Sequence, residues 1–283
     1  MTLAIPAGFT EHRVGNQVWW LKAGWEATLL EAVTPAVFAP RSTTPTKGGR
    51  GALRYISLGD GVKGIIRHYR RGGWVRYFLQ DLYWDRPLRP LAELICTEIA
   101  RQRGVPTVEV LGAGVKWNRL GLYRGVLITR EAEEYCHLWE WLQMGKRGTE
   151  RKVALITVAR AIAQLHRAGI AHADLNLTNI LLHPTQEAVT VLLIDFDRAR
   201  VFPGPLPTSQ RNRSLRRLRR SLDKLDPGRR FFSSADLQTF CHAYHERFCA
   251  ATDMGSPVCE GKGPECGRST VLPRSHRLTR PKG

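Results

Sequence analysis

One polar string constrains how two distant parts of this chain must meet. His172-Ala173-Asp174-Leu175-Asn176-Leu177-Thr178-Asn179 follows a helical run and Gly169, and sixteen residues beyond Asn179 an apolar strand ends in Ile194-Asp195-Phe196-Asp197. A hairpin-sized spacing sets Asn179 and Asp195 on adjacent segments, where both can converge on one point. Taken singly, an Asp-Leu or Asp-Phe in a loop reads as a cap or a surface turn. The combined pattern supplies what phosphoryl transfer requires. One carboxylate orients an acceptor hydroxyl and takes its proton, while an asparagine and a second carboxylate hold divalent ions on the phosphates. Hard oxygen ligands of this kind favour Mg²⁺ over Zn²⁺.

The rest of the chain divides around that string. A length of 283 residues suggests about two lobes. Residues 1–40 carry some apolar pattern but few clear signals. The string RSTTPTKGGRG at 41–51 is turn-rich, and two strand-like stretches follow, Ala52 to Leu58 and Val62 to Tyr69, around a Gly-Asp-Gly turn. Pro90 opens a helix, LAELICTEIARQR, closed by Gly104 and Pro106. Val108 to Leu111 and Leu122 to Thr129 read as further strands. In the second half, Arg151 to Arg167 places apolar residues at 155, 158, 159, 162 and 165, a helical period. Arg211 to Arg230 is a basic amphipathic helix with nine basic and two acidic residues, and Ser234 to Phe248 is one more helix. The expected division is a small lobe at 1–130, a helical lobe at 131–249 and a disordered basic tail at 250–283.

Forty-three Lys and Arg against 25 Asp and Glu give a formal charge of +18. That excludes an acidic, self-solvating chain and predicts attraction to polyanions. No nucleic-acid recognition motif accompanies the charge, so nucleic acid is not an expected partner. The N-terminal string MTLAIPAGFTEHR lacks the pattern of a signal peptide, and no window reaches the length of a membrane span. Cys249, Cys259 and Cys266 lack the spacing of a zinc site.

These residues resemble the protein kinase-like superfamily, with its H-R-D-L-x-x-x-x-N loop and D-F-G motif. The closer likeness is to the lipopolysaccharide kinase group, and within it the 3-deoxy-D-manno-octulosonic acid (Kdo) kinases. It is carried by IIRHYRRGGWV, AELICTEIARQRGVP, LHRAGIAHADLNLTNILL, LIDFDRAR and NRSLRRLRRSLDKL, from about residue 48 to 225. Asp197 stands where a protein kinase has Gly, and no A-P-E segment is visible. The resemblance implies an α+β, bilobal, protein kinase-like fold with an antiparallel sheet in the small lobe and a mainly helical large lobe. It implies ATP and Mg²⁺ as cofactors and the 4-hydroxyl of Kdo on Kdo-lipid IVA as acceptor. The setting would be the cytoplasmic face of a Gram-negative inner membrane, contacted peripherally, with no obligate protein partner. A heptose kinase, a small-molecule or protein kinase and a non-catalytic scaffold are the alternatives.

Carried over residue by residue, Asp174 is the catalytic base, and Asn179 and Asp195 bind the metal. His172 supports the loop or acts as a base, and Asn176 contacts the phosphate or the sugar. Asp197 either joins the metal shell or pairs with a nearby arginine. Gly49 and Gly51 belong to a candidate phosphate-binding loop. Arg67 is the candidate for the phosphate contact, with Lys63 the fallback, and Glu93 is its candidate carboxylate partner, with Glu98 second. Backbone groups from Ile128 through Thr129 and Arg130 would meet the adenine edge, with Leu181 and Leu192 as apolar walls. Leu215, Leu218, Leu222 and Leu225 form a packing stripe on the basic helix. Arg216, Arg219 and Arg220, extended by Arg70 and Arg71, are candidates for an acidic saccharide or anionic membrane surface.

Overall fold

Trp19 and Trp20 are neighbours on one strand, and both are buried, each in a different hydrophobic cluster. Side chains alternate across a strand, so this sheet is covered on both faces. The computed structural model describes residues 4–33, 35–38, 54–59, 61–69, 82–84, 87–185 and 188–249. Gly49, Gly51, Arg70, Arg71 and the expected tail lie outside the described residues.

Strands β1 (Phe9–Val14), β2 (Gln17–Lys22), β3 (Arg54–Ser57), β4 (Lys63–His68), β5 (Val110–Trp117) and β6 (Tyr123–Arg130) form a six-stranded sheet in the order β1-β2-β5-β6-β4-β3. Every neighbouring pair is antiparallel. Helix α1 (Glu26–Ala32) and a 3₁₀ turn at Pro35–Phe38 contribute Leu29, Val37 and Phe38 to one face, against Ile66, Val126 and Ile128. The other face, with Tyr69, Tyr123 and Leu127, is covered by helix α2 (Arg89–Gln102) through Leu91 and Leu94. Pro90 sits in the first turn of α2, where its missing N–H costs nothing, and Gly104 turns the chain out at φ +75°. A register shift between Val110 and Gly112 lets Val110 share a face with Ala113 and Val115.

The first hairpin is where the sequence reading falls short. β1 reads FTEHRV and buries only Phe9, so its alternation is faint, while β2 is buried without a break from Trp19 to Leu21. Its one local cue is Gly15-Asn16, the two residues that join Val14 to its partner Gln17.

The large lobe follows. Strand β7 (Cys136–His137) leads into helix α3 (Leu138–Gln143), then helix α4 (Gly148–Arg167). Leu155, Val158, Ala159, Ile162 and Leu165 of α4 are all buried, the period read from the sequence. Strand β8 (Ile170–Ala171) opens the polar string, and strands β9 (Ile180–Pro184) and β10 (Val189–Leu193) form the hairpin behind it. Strand β11 (Arg200–Val201) returns to pair with β8. Helices α5 (Thr208–Leu225) and α6 (Ser234–Cys249) complete the lobe, with α6 packed on α4. The leucine stripe of α5 is intramolecular: Leu222 is buried in the large-lobe core, and Leu215, Leu218 and Leu225 pack against it. The architecture is α+β and bilobal. Among the described residues no helix is long and apolar enough to cross a membrane.

Candidate active site

The polar string is an alternation of anchors and presented groups. Leu175 and Leu177 are buried in the large-lobe core, while Asp174 is exposed and Asn176 half-buried. The side-chain carbonyl of Asn176 accepts from the N–H of Thr178 at 2.8 Å, the Thr178 hydroxyl at 2.7 Å and the N–H of Asn179 at 3.1 Å. Its amide donates to the Asp174 carboxylate at 3.0 Å. This is an Asx-type turn that holds the loop open and orients one carboxylate. The Asn179 amide donates to the Asp174 backbone carbonyl at 2.9 Å, which ties the two ends of the string together.

His172 joins this loop to the D-F-D segment. It is buried; its Nδ1 accepts the Asp174 N–H at 3.1 Å, which leaves Nε2–H to donate to the Ile194 carbonyl at 2.9 Å. Burial lowers its pKa. A neutral ring with both nitrogens engaged is a strut between two segments. The Ile194 N–H donates to the Asn179 carbonyl at 3.0 Å, so Asn179 is tied at the root of the β9–β10 hairpin to the residue that precedes Asp195. Phe196 is buried, its ring 5.1 Å from that of His172, and Asp195 takes φ +68°, a left-handed conformation that Asp tolerates better than most residues. Asp195 and Asp197 are only partly exposed, and Phe196 between them is the peg.

Both carboxylates are gripped by the small lobe. Arg67 of β4 shares a sheet face with Tyr69 and Leu127, the face that α2 covers. It donates to Glu93 on α2 and, at 2.7 Å, to Asp195. Glu93, only 2 % exposed, also accepts the Tyr69 hydroxyl. Burial raises the pKa of Glu93, and Arg67 opposes that rise. Burial would lower the pKa of Arg67, but Glu93 and Asp195 outweigh it and the net change is upward, so the guanidinium is permanently charged. One turn earlier on α2, Arg89 donates to both oxygens of Asp197 and lies 4.8 Å from the Tyr83 ring centre. Of the two readings of Asp197, the structure places it against an arginine.

The fallback residues are occupied elsewhere. Lys63 is exposed and pairs with Glu133 at 3.1 Å. Glu98 pairs along its own helix with Arg101 at 2.6 Å. Thr129 lies in the sheet between Ile65 and Val110. The Arg130 side chain pairs with Glu109 at 2.7 Å, and the N–H groups of Arg130 and Glu131 go to the carbonyls of Glu109 and Lys63 at 2.9 Å each. Arg216, Arg219 and Arg220 are exposed on α5, the helix whose Ser221 hydroxyl accepts the Leu177 N–H at 3.3 Å.

Arg89 and Tyr69 escaped the sequence reading. Only the face Tyr69 shares with Arg67 pointed to it. Among the described residues no cluster of three or more His, Cys, Asp or Glu could hold a metal ion. Asn179 and Asp195 carry hard oxygen donors of the kind that Mg²⁺ takes, an ion that keeps several waters and accepts ligands from substrate phosphates.

A bilobal kinase-like fold with these carboxylates at the lobe junction defines a phosphotransferase class, and sequence comparison resolves it further. The profile of the lipopolysaccharide kinase (Kdo/WaaP) family matches residues 45–244, and the chain belongs to that family. It is similar to the 3-deoxy-D-manno-octulosonic acid kinase of Xylella fastidiosa (strain M12), with 33 % identity over 196 residues, 68 % of this chain and 74 % of that protein. The enzyme of the same name from Stenotrophomonas maltophilia (strain R551-3) is 34 % identical over 197 residues, again 68 % and 74 %. In fold, the chain is similar to WaaP in its complex with acyl carrier protein, at TM-score 0.50 and 21 % identity over 72 % of this chain and 78 % of that one.

Proposed function

We propose that this lipopolysaccharide kinase transfers the γ-phosphoryl group of ATP to the 4-hydroxyl of Kdo on Kdo-lipid IVA. The observation that supports the reading is the hydrogen-bonded string itself, in which the Asn179 amide is tied to the Asp174 backbone carbonyl and the Asn179 carbonyl to the residue before Asp195, with the Asp174 side chain left exposed. The identity with Kdo kinases supports the choice of acceptor.

Asp174, steered by the Asn176 amide, accepts a hydrogen bond from the acceptor hydroxyl and takes its proton as the oxygen attacks. Arg67, tethered by Glu93, reaches the nucleotide phosphates. Asn179 and Asp195 hold Mg²⁺, which supplies charge neutralisation on the phosphate oxygens. His172 keeps the string and the D-F-D segment in register. The enzyme works at the cytoplasmic face of the inner membrane as a peripheral protein. Its +18 charge and the exposed Arg216, Arg219 and Arg220 meet anionic headgroups.

The test is transfer from γ-labelled ATP with Mg²⁺ to Kdo-lipid IVA, its Kdo-free precursor and a heptosylated core, with Asp174→Ala alongside. Label that requires Kdo and is lost in the variant is expected. Transfer confined to the heptosylated acceptor would reassign the enzyme as a heptose kinase.

A further inference from the structure

Beside the polar string lies a second charged recess that the reading above does not use. Its floor is the segment 171–173, whose last Cα is about 3.8 Å from that of Asp174. Its walls carry Arg198, Arg200, Arg213 and Arg217, together with Ser214. The fold brings these together from two directions. Pairing of β11 with β8 sets Arg200 opposite Ala171. On α5, Arg213, Ser214 and Arg217 fall on one side of the helix, at i, i+1 and i+4, and Arg217 approaches the His172 carbonyl at 3.5 Å.

Four guanidinium groups around one recess repel each other unless an anion sits between them. Among the described residues none of the four makes an ion pair with a carboxylate. Arg200 meets neutral groups: the side-chain carbonyl of Gln210 at 3.3 Å and the Phe202 ring, 5.9 Å to its centre. Ser214 is 2 % exposed and its hydroxyl has no hydrogen-bond partner. Buried hydroxyls are normally satisfied, so this unpartnered one, on a residue that lines the recess, leaves a donor unused there. The cavity is about 200 Å³. That is smaller than the roughly 300–1,000 Å³ of a site for a whole small molecule and suits one carboxylate or phosphate with a few waters. All its walls come from the large lobe, C-terminal to the string, whereas the phosphate-reaching Arg67 belongs to the small lobe.

We infer that this recess is a subsite for an oxyanion of the acceptor, in which Arg198, Arg200, Arg213 and Arg217 hold a carboxylate or phosphate group while Asp174 meets the neighbouring hydroxyl. The inference rests on the proposed acidic saccharide acceptor and adds the residues that select it. Guanidinium groups bind such oxyanions in bidentate fashion, which fixes orientation as well as affinity.

Two arms test it with the full-length Arg200→Gln/Arg213→Gln double variant. Both residues are exposed, and Arg213→Lys serves as a conservative control. In the first arm, thermal unfolding is followed against inorganic sulfate, with sodium chloride at matched ionic strength. The wild type should show a saturable rise in Tm that the double variant loses and the lysine variant partly retains. In the second arm, KM is measured for Kdo-lipid IVA, for the same lipid with the Kdo carboxyl reduced, and for the dephosphorylated lipid. The double variant should raise the KM of the intact acceptor at least about tenfold while changing that of ATP less than about twofold. Loss of this sensitivity with the carboxyl-reduced lipid assigns the recess to the Kdo carboxylate; its loss with the dephosphorylated lipid assigns it to the phosphate. An equal sulfate response in wild type and double variant overturns the site. A sulfate site with unchanged acceptor KM overturns its role. Should the wild type phosphorylate no Kdo acceptor at all, the proposed function falls, and the sulfate arm alone decides whether the anion site exists.

Discussion

Replacing Glu93 by Gln tests the grip on the D-F-D segment without changing side-chain shape. Glu93 accepts two hydrogen bonds, from Arg67 and Tyr69, and is 2 % exposed. An amide keeps one acceptor and turns an NH₂ toward the other donor, so one charge-assisted bond, worth roughly 1.5–3 kcal/mol, is lost. Relief from burying a carboxylate offsets part of this, because burial raises the pKa of Glu93 and ionisation is costly there. The net destabilisation should stay under about 2 kcal/mol, a Tm fall of no more than about 8 °C. Activity should fall further. Arg67 keeps Asp195 as its remaining anchor, and the phosphate grip and the metal carboxylate are drawn together. A loss of about 10- to 100-fold in kcat/KM, about 1.4–2.7 kcal/mol, is expected, chiefly through ATP. Glu98→Gln is the matched control, since that buried carboxylate meets only Arg101 on its own helix. Labelled-phosphate transfer with varied ATP, beside thermal unfolding, reads both quantities. Equal losses in the two variants, or full activity in Glu93→Gln, would refute the reasoning.

Two further predictions concern the large lobe. His166 is buried against the Tyr244 hydroxyl at 2.8 Å, and burial holds its pKa down to about 3. A lowered folded-state pKa stabilises the protein above the unfolded value near 6.5, and the contribution is lost as pH falls from there toward 3, at up to about 1.4 kcal/mol per pH unit. Urea unfolding at pH 7.5, 6 and 5 should show a shallower pH dependence for His166→Gln than for the wild type, and parallel slopes would count against the assignment. Gly169 closes α4 at φ +73°, where a Cβ would lie 2.3 Å from the Gly204 carbonyl oxygen and 2.8 Å from that of Phe202. Gly169→Ala should therefore cost roughly 2–5 kcal/mol. Gly204→Ala, with nothing within 4 Å, should be near neutral, and similar Tm values for the two variants would contradict the geometry.

What the amino-acid string disclosed follows from how locally each feature is encoded. The buried face of α4 has a 3.6-residue period within one segment, and Pro90 and Gly104 mark the ends of α2, so both helices were legible. The closeness of Asn179 to the D-F-D segment was legible because a single hairpin sets Asn179 against Ile194. The first hairpin was not, because an exposed edge strand and a strand buried on both faces each hide the alternation. Arg89 and the recess arginines depend on packing between elements far apart in sequence. Arg89 and Asp197 are 108 residues apart, and nothing in the string AELICTEIARQRGVP announces that its preceding arginine reaches the D-F-D segment.

Arg89 and Glu93 stand four residues apart on α2, about 6 Å along its axis. One takes hold of Asp197, and the other reaches Asp195 through Arg67, while Phe196 pins the residue between. The helix thus works as a gauge block whose length is one turn, and the acidic tripeptide is cut to its measure. A tilt or slide of α2 changes both grips in the same stroke, so the two carboxylates seat and unseat together. The spacing of one helical turn is thus matched to the spacing of two carboxylates that lie more than a hundred residues further along the chain.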